Sequence, residues 1–473
     1  LLSKWAYIVV FIAFLGGCTT DEHSVILTSH ELKSPAGSAS GEPFLSSSGD
    51  AVYLSWLERT AAGTHELRFS RLHGSSWGVP TVITSSDRFF VNWADFPSLT
   101  LGPTGSLWVH WLERGPAGGY DYGIRVAHSE DEGLTWSEPW TPHEDTSATE
   151  HGFVSTSPVG DGMGFLWLDG RRFEAGSDGL PATQEMALMH RMISSGDKKG
   201  TETLVDERVC ECCQTDQALT SDGPVAVYRD RSPDEVRDIY ITRFEDGTWT
   251  SGEPVYEDGW ETNACPVNGP SVSASEQDVA VAWFTAADGA PLVKVAFSHD
   301  SGASFGEAHV IDDQSPAGRV DLLMLEDRSV LVAWLTRIGG GQAEVRVRRV
   351  LPSGRMEESL SVSASSSERA SGFPRMALRE RGDVLLAWTD VTKLVPQVRV
   401  ARIEMEMRSP TTAISPEPRA ITPARAEPPR VATTIALGSR MRARPTPVAR
   451  MTFFRVLCEI MQKKFATGDR QPV

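Results

Sequence analysis

The chain has 473 residues, 40% of them hydrophobic, enough to bury a substantial core. Its formal charge of −18 at pH 7 repels a phosphate backbone unless a local basic patch overrides the field, so nucleic acid is excluded as an expected partner. Nothing in the sequence calls for a cofactor.

In chain order, "LLSKWAYIVVFIAFLGGCTT" comes first: one Lys, then an apolar run too short to span a bilayer, which predicts an export signal over residues 1–17. The run ends in Leu15-Gly16-Gly17-Cys18, which resembles the lipobox of bacterial lipoproteins. That resemblance implies lipid on Cys18, a short linker over 18–22 and a cell-envelope protein held to a membrane. Thr19, where Asp would favour the inner membrane, points by the same rule to the outer one.

Residues 23–403 carry an internal repeat, a β-rich segment ending in an aromatic: "VYLSWLER" at Trp56, "LWVHWLER" at Trp111, "GFLWLDGR" at Trp167, "VAVYRDR" at Tyr228, "VAVAWFT" at Trp283, "VLVAWLTR" at Trp334 and "VLLAWTD" at Trp388. The aromatics recur every 51 to 61 residues. Each is preceded by a short strand and a Gly or Asp turn, and followed by an alternating strand such as "VKVAFS" and a last edge strand. The pattern predicts an all-β protein, a β-propeller of four-stranded antiparallel blades, seven by repeat count. The seventh unit lacks a fourth strand, and "HSVILTS" at 23–29 is expected to supply it and close the ring.

Two of the units carry one spaced motif: Ser129-x-Asp131-x-Gly133-x-Thr135-Trp136 and Ser298-x-Asp300-x-Gly302-x-Ser304-Phe305, with a degraded copy in Ser70, Gly74 and Trp77. The motif resembles the Asp box of sialidases and related propellers. Its short carboxylate accepts backbone N–H groups of a turn between the third and fourth strands, and its Gly supplies a positive φ. In that family the box faces away from the catalytic pocket, so a structural role is expected for Asp131 and Asp300. Many sialidases have six blades, which makes six the alternative count.

The opposite face collects acids and arginines that follow the aromatic strands: Glu58-Arg59, Glu113-Arg114, Asp169 with Arg171, Arg229-Asp230-Arg231, and Arg337. Arg captures carboxylates bidentately, which suits sialic or uronic acids. The alternative is that these groups pair between blades. Asp95, His151 and Asn268, in the loops between units, fall on the same face. Asp95, Asp169 and Asp230 are the candidate acids and bases; Arg171, Arg229, Arg231, Arg337, His151 and Asn268 are the candidate ligand contacts. Catalytic sialidases carry an early Phe/Tyr-Arg-Ile-Pro element and a late Tyr nucleophile; here that tetrapeptide is absent and no Tyr follows Tyr256.

Cys210, Cys212 and Cys213 in "RVCECCQT" are answered by Cys265 in "NACPVNGP", at the starts of adjacent units. In an exported protein they are expected to form two disulfides, with the pairing open except that a bond between adjacent Cys212 and Cys213 is strained. A copper(I) or zinc thiolate site is the alternative use of the same four residues. Residues 404–473 turn Pro- and Arg-rich and are expected to be disordered.

Three functions stay open at this point. One is an exported lipoprotein whose sialidase-like propeller recognises acidic glycans and, as an enzyme, would hydrolyse them as an exo-α-sialidase-like glycoside hydrolase. The others are a non-catalytic binding or assembly propeller with a protein ligand, and a metal-handling protein.

Overall fold

The computed structural model describes residues 25–175, 181–183, 185–194 and 198–407. Cys18, the segment 1–17 and the stretch beyond 407 lie outside the described residues.

The repeat folds as seven antiparallel sheets around one axis. The first strands are Ser40–Ser48, Ser98–Leu101, His151–Val159, Asp216–Thr220, Ser271–Ser275, Pro316–Met324 and Arg375–Leu378. Each touches the first strand of the next blade, and Arg375–Leu378 touches Ser40–Ser48, so the ring is closed. The aromatic segments form the second strands, from Ala51–Arg59 in blade one to Val384–Asp390 in blade seven. Seven blades, and not six, answer the count.

Closure uses both ends of the domain. Strand Val25–Leu32 pairs antiparallel with Gln397–Met407, from Val25 opposite Met407 to Leu32 opposite Val400, as the missing fourth strand of blade seven. The last strand thus runs four residues past 403. Blade two departs from the four-stranded pattern. Its sheet has three strands, Ser98–Leu101, Leu107–Arg114 and Tyr122–Ser129, and its outer edge shrinks to a bridge between Val126 and Trp140. Pro139 and Pro142 flank Trp140 and offer no N–H to a longer ladder.

The core is distributed between blades rather than gathered at one centre. Seven apolar clusters lie at the seven blade interfaces; one joins Trp283 of blade five to Ile241 of blade four, another Trp334 of blade six to Phe297 of blade five. The repeated aromatics fill these interfaces: Trp56, Trp167 and Trp283 are wholly buried. A buried indole N–H needs an acceptor. In blades one to three the acid two residues on supplies it: Trp56 donates to Glu58 (2.9 Å), Trp111 to Glu113 (3.2 Å) and Trp167 to Asp169 (2.9 Å). In blades four to six the acceptor comes from the preceding blade: Tyr228 donates to Asp206 (2.7 Å), Trp283 to Asp258 (2.7 Å) and Trp334 to Asp312 (2.6 Å).

Candidate functional site

The two spaced motifs close the hairpins after the third strands Tyr122–Ser129 and Leu292–Ser298. Asp131 accepts from the Ser129 hydroxyl, the Thr135 backbone and the Thr135 hydroxyl at 2.7–2.8 Å, and Asp300 accepts from the matching groups of Ser298 and Ser304. These hydrogen bonds hold the Asp131 carboxyl below its usual range. Gly133 has φ +88°, and a Cβ there would lie 2.3 Å from Phe69 Cζ of blade one. Gly302, at φ +83°, is pressed the same way onto Ile241 of blade four. Trp136 meets Phe69 edge-on at 5.9 Å. Each hairpin is therefore a latch on the preceding blade.

The other end of the strands holds the polar loops. Asp95 is 1% exposed, accepting from the Phe153 amide (2.7 Å) on Oδ1 and from the Tyr122 hydroxyl (2.9 Å) on Oδ2. The pair forms because His151–Val159 starts with a bulge: Gly152 leaves room, since a Cβ would sit 2.0 Å from Asp95 Oδ2, and Phe153 takes φ +52°. Burial lifts the Asp95 carboxyl to about 7, against the pull of its two hydrogen bonds. Burial, then the charges of Asp95 and Glu211, lift Glu150 to about 8.

Asp95 borders a narrow cavity of about 50 Å³ at the mouth of the central channel, which Phe44, Phe96, Phe153, Phe373, Asp216 and Arg375 also line. Gln214 crosses this mouth, donating to the Ala94 carbonyl (2.6 Å) and accepting from the Gly269 amide (3.0 Å). Arg375 lies 3.2 Å from Asp321 and 4.8 Å from the centre of the Phe44 ring. Burial raises Asp216 above its ordinary range and Asp321 to about 6, even with Arg375 near both. Glu42, two positions before Phe44 in blade one, is raised by burial to about 7.

The remaining expected site residues are already engaged. Asp169 is fully buried and holds the Trp167 indole and the Arg171 guanidinium (2.7 Å), while Arg171 also reaches Glu202 (2.5 Å). Burial pushes Asp169 up, but Arg171, His151 and the indole outweigh it and leave its carboxyl below the usual range. His151, 2% exposed, bonds Asp145 (2.9 Å) and stacks on His143 at 4.0 Å. Arg229 does not reach the open face: 1% exposed, it donates to the backbone carbonyls of Asn268, Arg237 and Phe284. Asn268 completes this brace by accepting from the Arg319 amide at 2.7 Å. Arg231 is clamped by Glu235 (2.9 Å). Asp230 is lifted to about 7 by burial and by the charge of Asp206. Arg337 is exposed and donates to the Pro316 carbonyl at 2.5 Å. The acids and arginines thus serve mainly indoles, backbone carbonyls and one another within their own loops.

The cysteines meet as Cys210–Cys213 and Cys212–Cys265. Paired sulfurs are not thiolate ligands, so the metal alternative applies only to a reduced form. Asp145, His151 and Asp169 lie close enough together to hold an ion, but Arg171 already occupies Asp169.

Sequence reasoning passed over Tyr122, Gln214, Asp216, Asp321, Arg375 and the four wall phenylalanines. A signal existed: "GEPF", "DFPS", "GFVS", "GRVD" and "GFPR" open or lead into five of the first strands, and Phe44, Phe96, Phe153, Asp321, Phe373 and Arg375 stand at their second or fourth positions.

The fold and this mouth define a seven-bladed propeller with an acid- and aromatic-lined channel. No protein-family profile and no curated protein matches the chain. Among solved structures it is similar to a protein of unknown function from Dyadobacter fermentans, with 15% identity over 81% of this chain and 100% of that one, at TM-score 0.46. It is also similar to the Trypanosoma rangeli sialidase in complex with the inhibitor DANA (12% identity, 68% of this chain, 56% of that one, TM-score 0.42). A third is an ulvan lyase of a polysaccharide lyase family (12% identity, 68% of this chain, 79% of that one, TM-score 0.41).

Proposed function

We propose that the channel mouth recognises the terminal residue of an acidic glycan, of the sialic-acid type, with Asp95 as proton donor. The observation that carries this reading is the coincidence, in one cavity, of four phenylalanine walls, a guanidinium and a carboxyl poised near pH 7. Aromatic faces suit the C–H faces of a sugar ring, and Arg375 suits a carboxylate. A cavity of about 50 Å³ has room for a carboxylate or hydroxymethyl group and not for a whole pyranose. The ring would therefore rest across the mouth with its acid group inserted. A second reading, binding without hydrolysis, is favoured by the burial of both groups, Asp95 at 1% and Tyr122 at 2% exposure, which leaves neither open to a bound sugar in this conformation. As part of the same proposal, Cys18 carries lipid and holds the propeller at the outer membrane.

The test is a glycan array on the purified chain, followed by a screen for release of the terminal sugar. Binding of acidic over neutral termini is expected, and Arg375→Ala should lose roughly 2–5 kcal/mol, or about thirtyfold to several thousandfold in affinity. Undiminished binding by a folded Arg375→Ala protein refutes the assignment. Binding without release selects the second reading.

A further inference from the structure

The cysteine cluster is graded from outside to inside. Cys265 is exposed, Cys212 half-buried, and Cys210 and Cys213 are each 1% exposed. The two disulfides are not separate: Cys212 Sγ lies 3.9 Å from Cys210 Sγ. A staple needs no such contact, because either bridge would tie its segments alone. A buried guanidinium faces the same sulfur, with Arg237, 1% exposed, placing Nη1 3.6 Å from Cys210 Sγ. Around it Arg208 and Arg231 form ion pairs with the carboxylates Glu211 and Glu235, which Arg237 also bonds.

We propose that these four cysteines form a thiol–disulfide relay, which takes electrons from an external dithiol at Cys265 and passes them inward to Cys210–Cys213. In the first step a thiolate of the dithiol attacks Cys265 Sγ. The Cys212–Cys265 bond breaks and Cys212 leaves as a thiolate. The second thiol of the donor then closes on the mixed disulfide, so the donor becomes a disulfide and Cys265 a thiol. In the inward step the Cys212 thiolate attacks Cys210 Sγ, a Cys210–Cys212 bond forms, and Cys213 leaves. Two electrons and two protons have moved from the donor, and the protons end on Cys265 and Cys213. The transition state spreads one negative charge over three sulfurs, and Arg237 sits beside the central one. Attack on Cys213 instead would join adjacent residues, which is strained.

The experiment treats the native full chain with dithiothreitol and follows each cysteine by rapid alkylation and mass spectrometry. The relay predicts that one equivalent traps a Cys210–Cys212 bond with Cys213 and Cys265 alkylated. It also predicts that the buried Cys210–Cys213 bond is reduced at least about tenfold faster in the wild type than in a Cys212→Ser/Cys265→Ser protein, which has no inner nucleophile. Alkylation of Cys212 and Cys265 with Cys210–Cys213 intact overturns the proposal, and so do equal reduction rates. The trapping arm needs no variant and decides the matter even if the double variant does not fold.

Discussion

Replacing Asp95 by Asn tests the electrostatics of the channel mouth directly. The Asn amide keeps both contacts: its oxygen accepts from the Phe153 amide, and its NH₂ donates to the Tyr122 oxygen in place of the bond Asp95 now receives. Only the charge is lost. A carboxyl lifted by burial from 3.8 to about 7 is a raised group, so its contribution to stability is fully present below about pH 4 and is lost as pH rises through 7. With 1.36 kcal/mol for each tenfold change, the loss reaches about 4 kcal/mol by pH 8, of which about 3 kcal/mol falls between pH 5 and pH 8. At an unfolding entropy near 2.1 cal/mol/K per residue, that is a shift in Tm of about 4 °C for a domain of this size. The assay is thermal unfolding of both proteins across pH 4–8. The wild type should lose stability with rising pH more steeply than Asp95→Asn, because Glu42 and Asp321 contribute to both curves, whereas Asp95, and the part of the Glu150 shift that its charge causes, contribute to one. Asp95→Asn should be the more stable protein at pH 8 and lose that advantage at pH 4. Parallel curves would refute a raised Asp95 and remove it as the proton donor.

Gly133→Ala should destabilise by about 1–3 kcal/mol, because the site combines φ +88° with a Cβ pressed into Phe69; a lowered Tm with unchanged glycan binding is the expected pair of results. Deleting Val25–Leu32 should expose the edge of Gln397–Met407 and open blade seven, seen as aggregation or a large loss of Tm, with recovery when a peptide of that sequence is added. Arg229→Met should cost about 3 kcal/mol or more, since it leaves three backbone carbonyls without donors, and denaturant unfolding would measure it. Cys18→Ala should abolish labelling by a fatty-acid probe that marks the wild-type chain.

The fold was legible because a propeller writes its period into the chain. A bulky aromatic must fill every blade interface, so Trp or Tyr recurs once per blade, and the count of seven follows from Trp56 to Trp388. Closure was legible for a related reason: the seventh unit stops one strand short, and "HSVILTS" has no other blade to join. Blade two was misread because its missing fourth strand depends on the local conflict between Trp140 and its flanking prolines, which the repeat average conceals.

The site was harder to read because one residue type does two jobs at the same repeat position. An acid after the aromatic strand looks like a ligand contact, yet the buried indole N–H beside it creates a demand for an acceptor that solvent cannot meet. Glu58, Glu113 and Asp169 answer that demand in blades one to three, and once Asp169 is held there it fixes Arg171 and His151 in turn. The proposed site lies nearer the axis, at the first strands, where side chains from different blades converge. Asp95 escapes the pattern because it precedes a first strand, and its partner Tyr122 and the gap at Gly152 come from two different blades. Asp230 departs from the other acids at that repeat position, because burial and the charge of Asp206 lift it to about 7 where Asp169 is held below its usual range by Arg171, His151 and an indole.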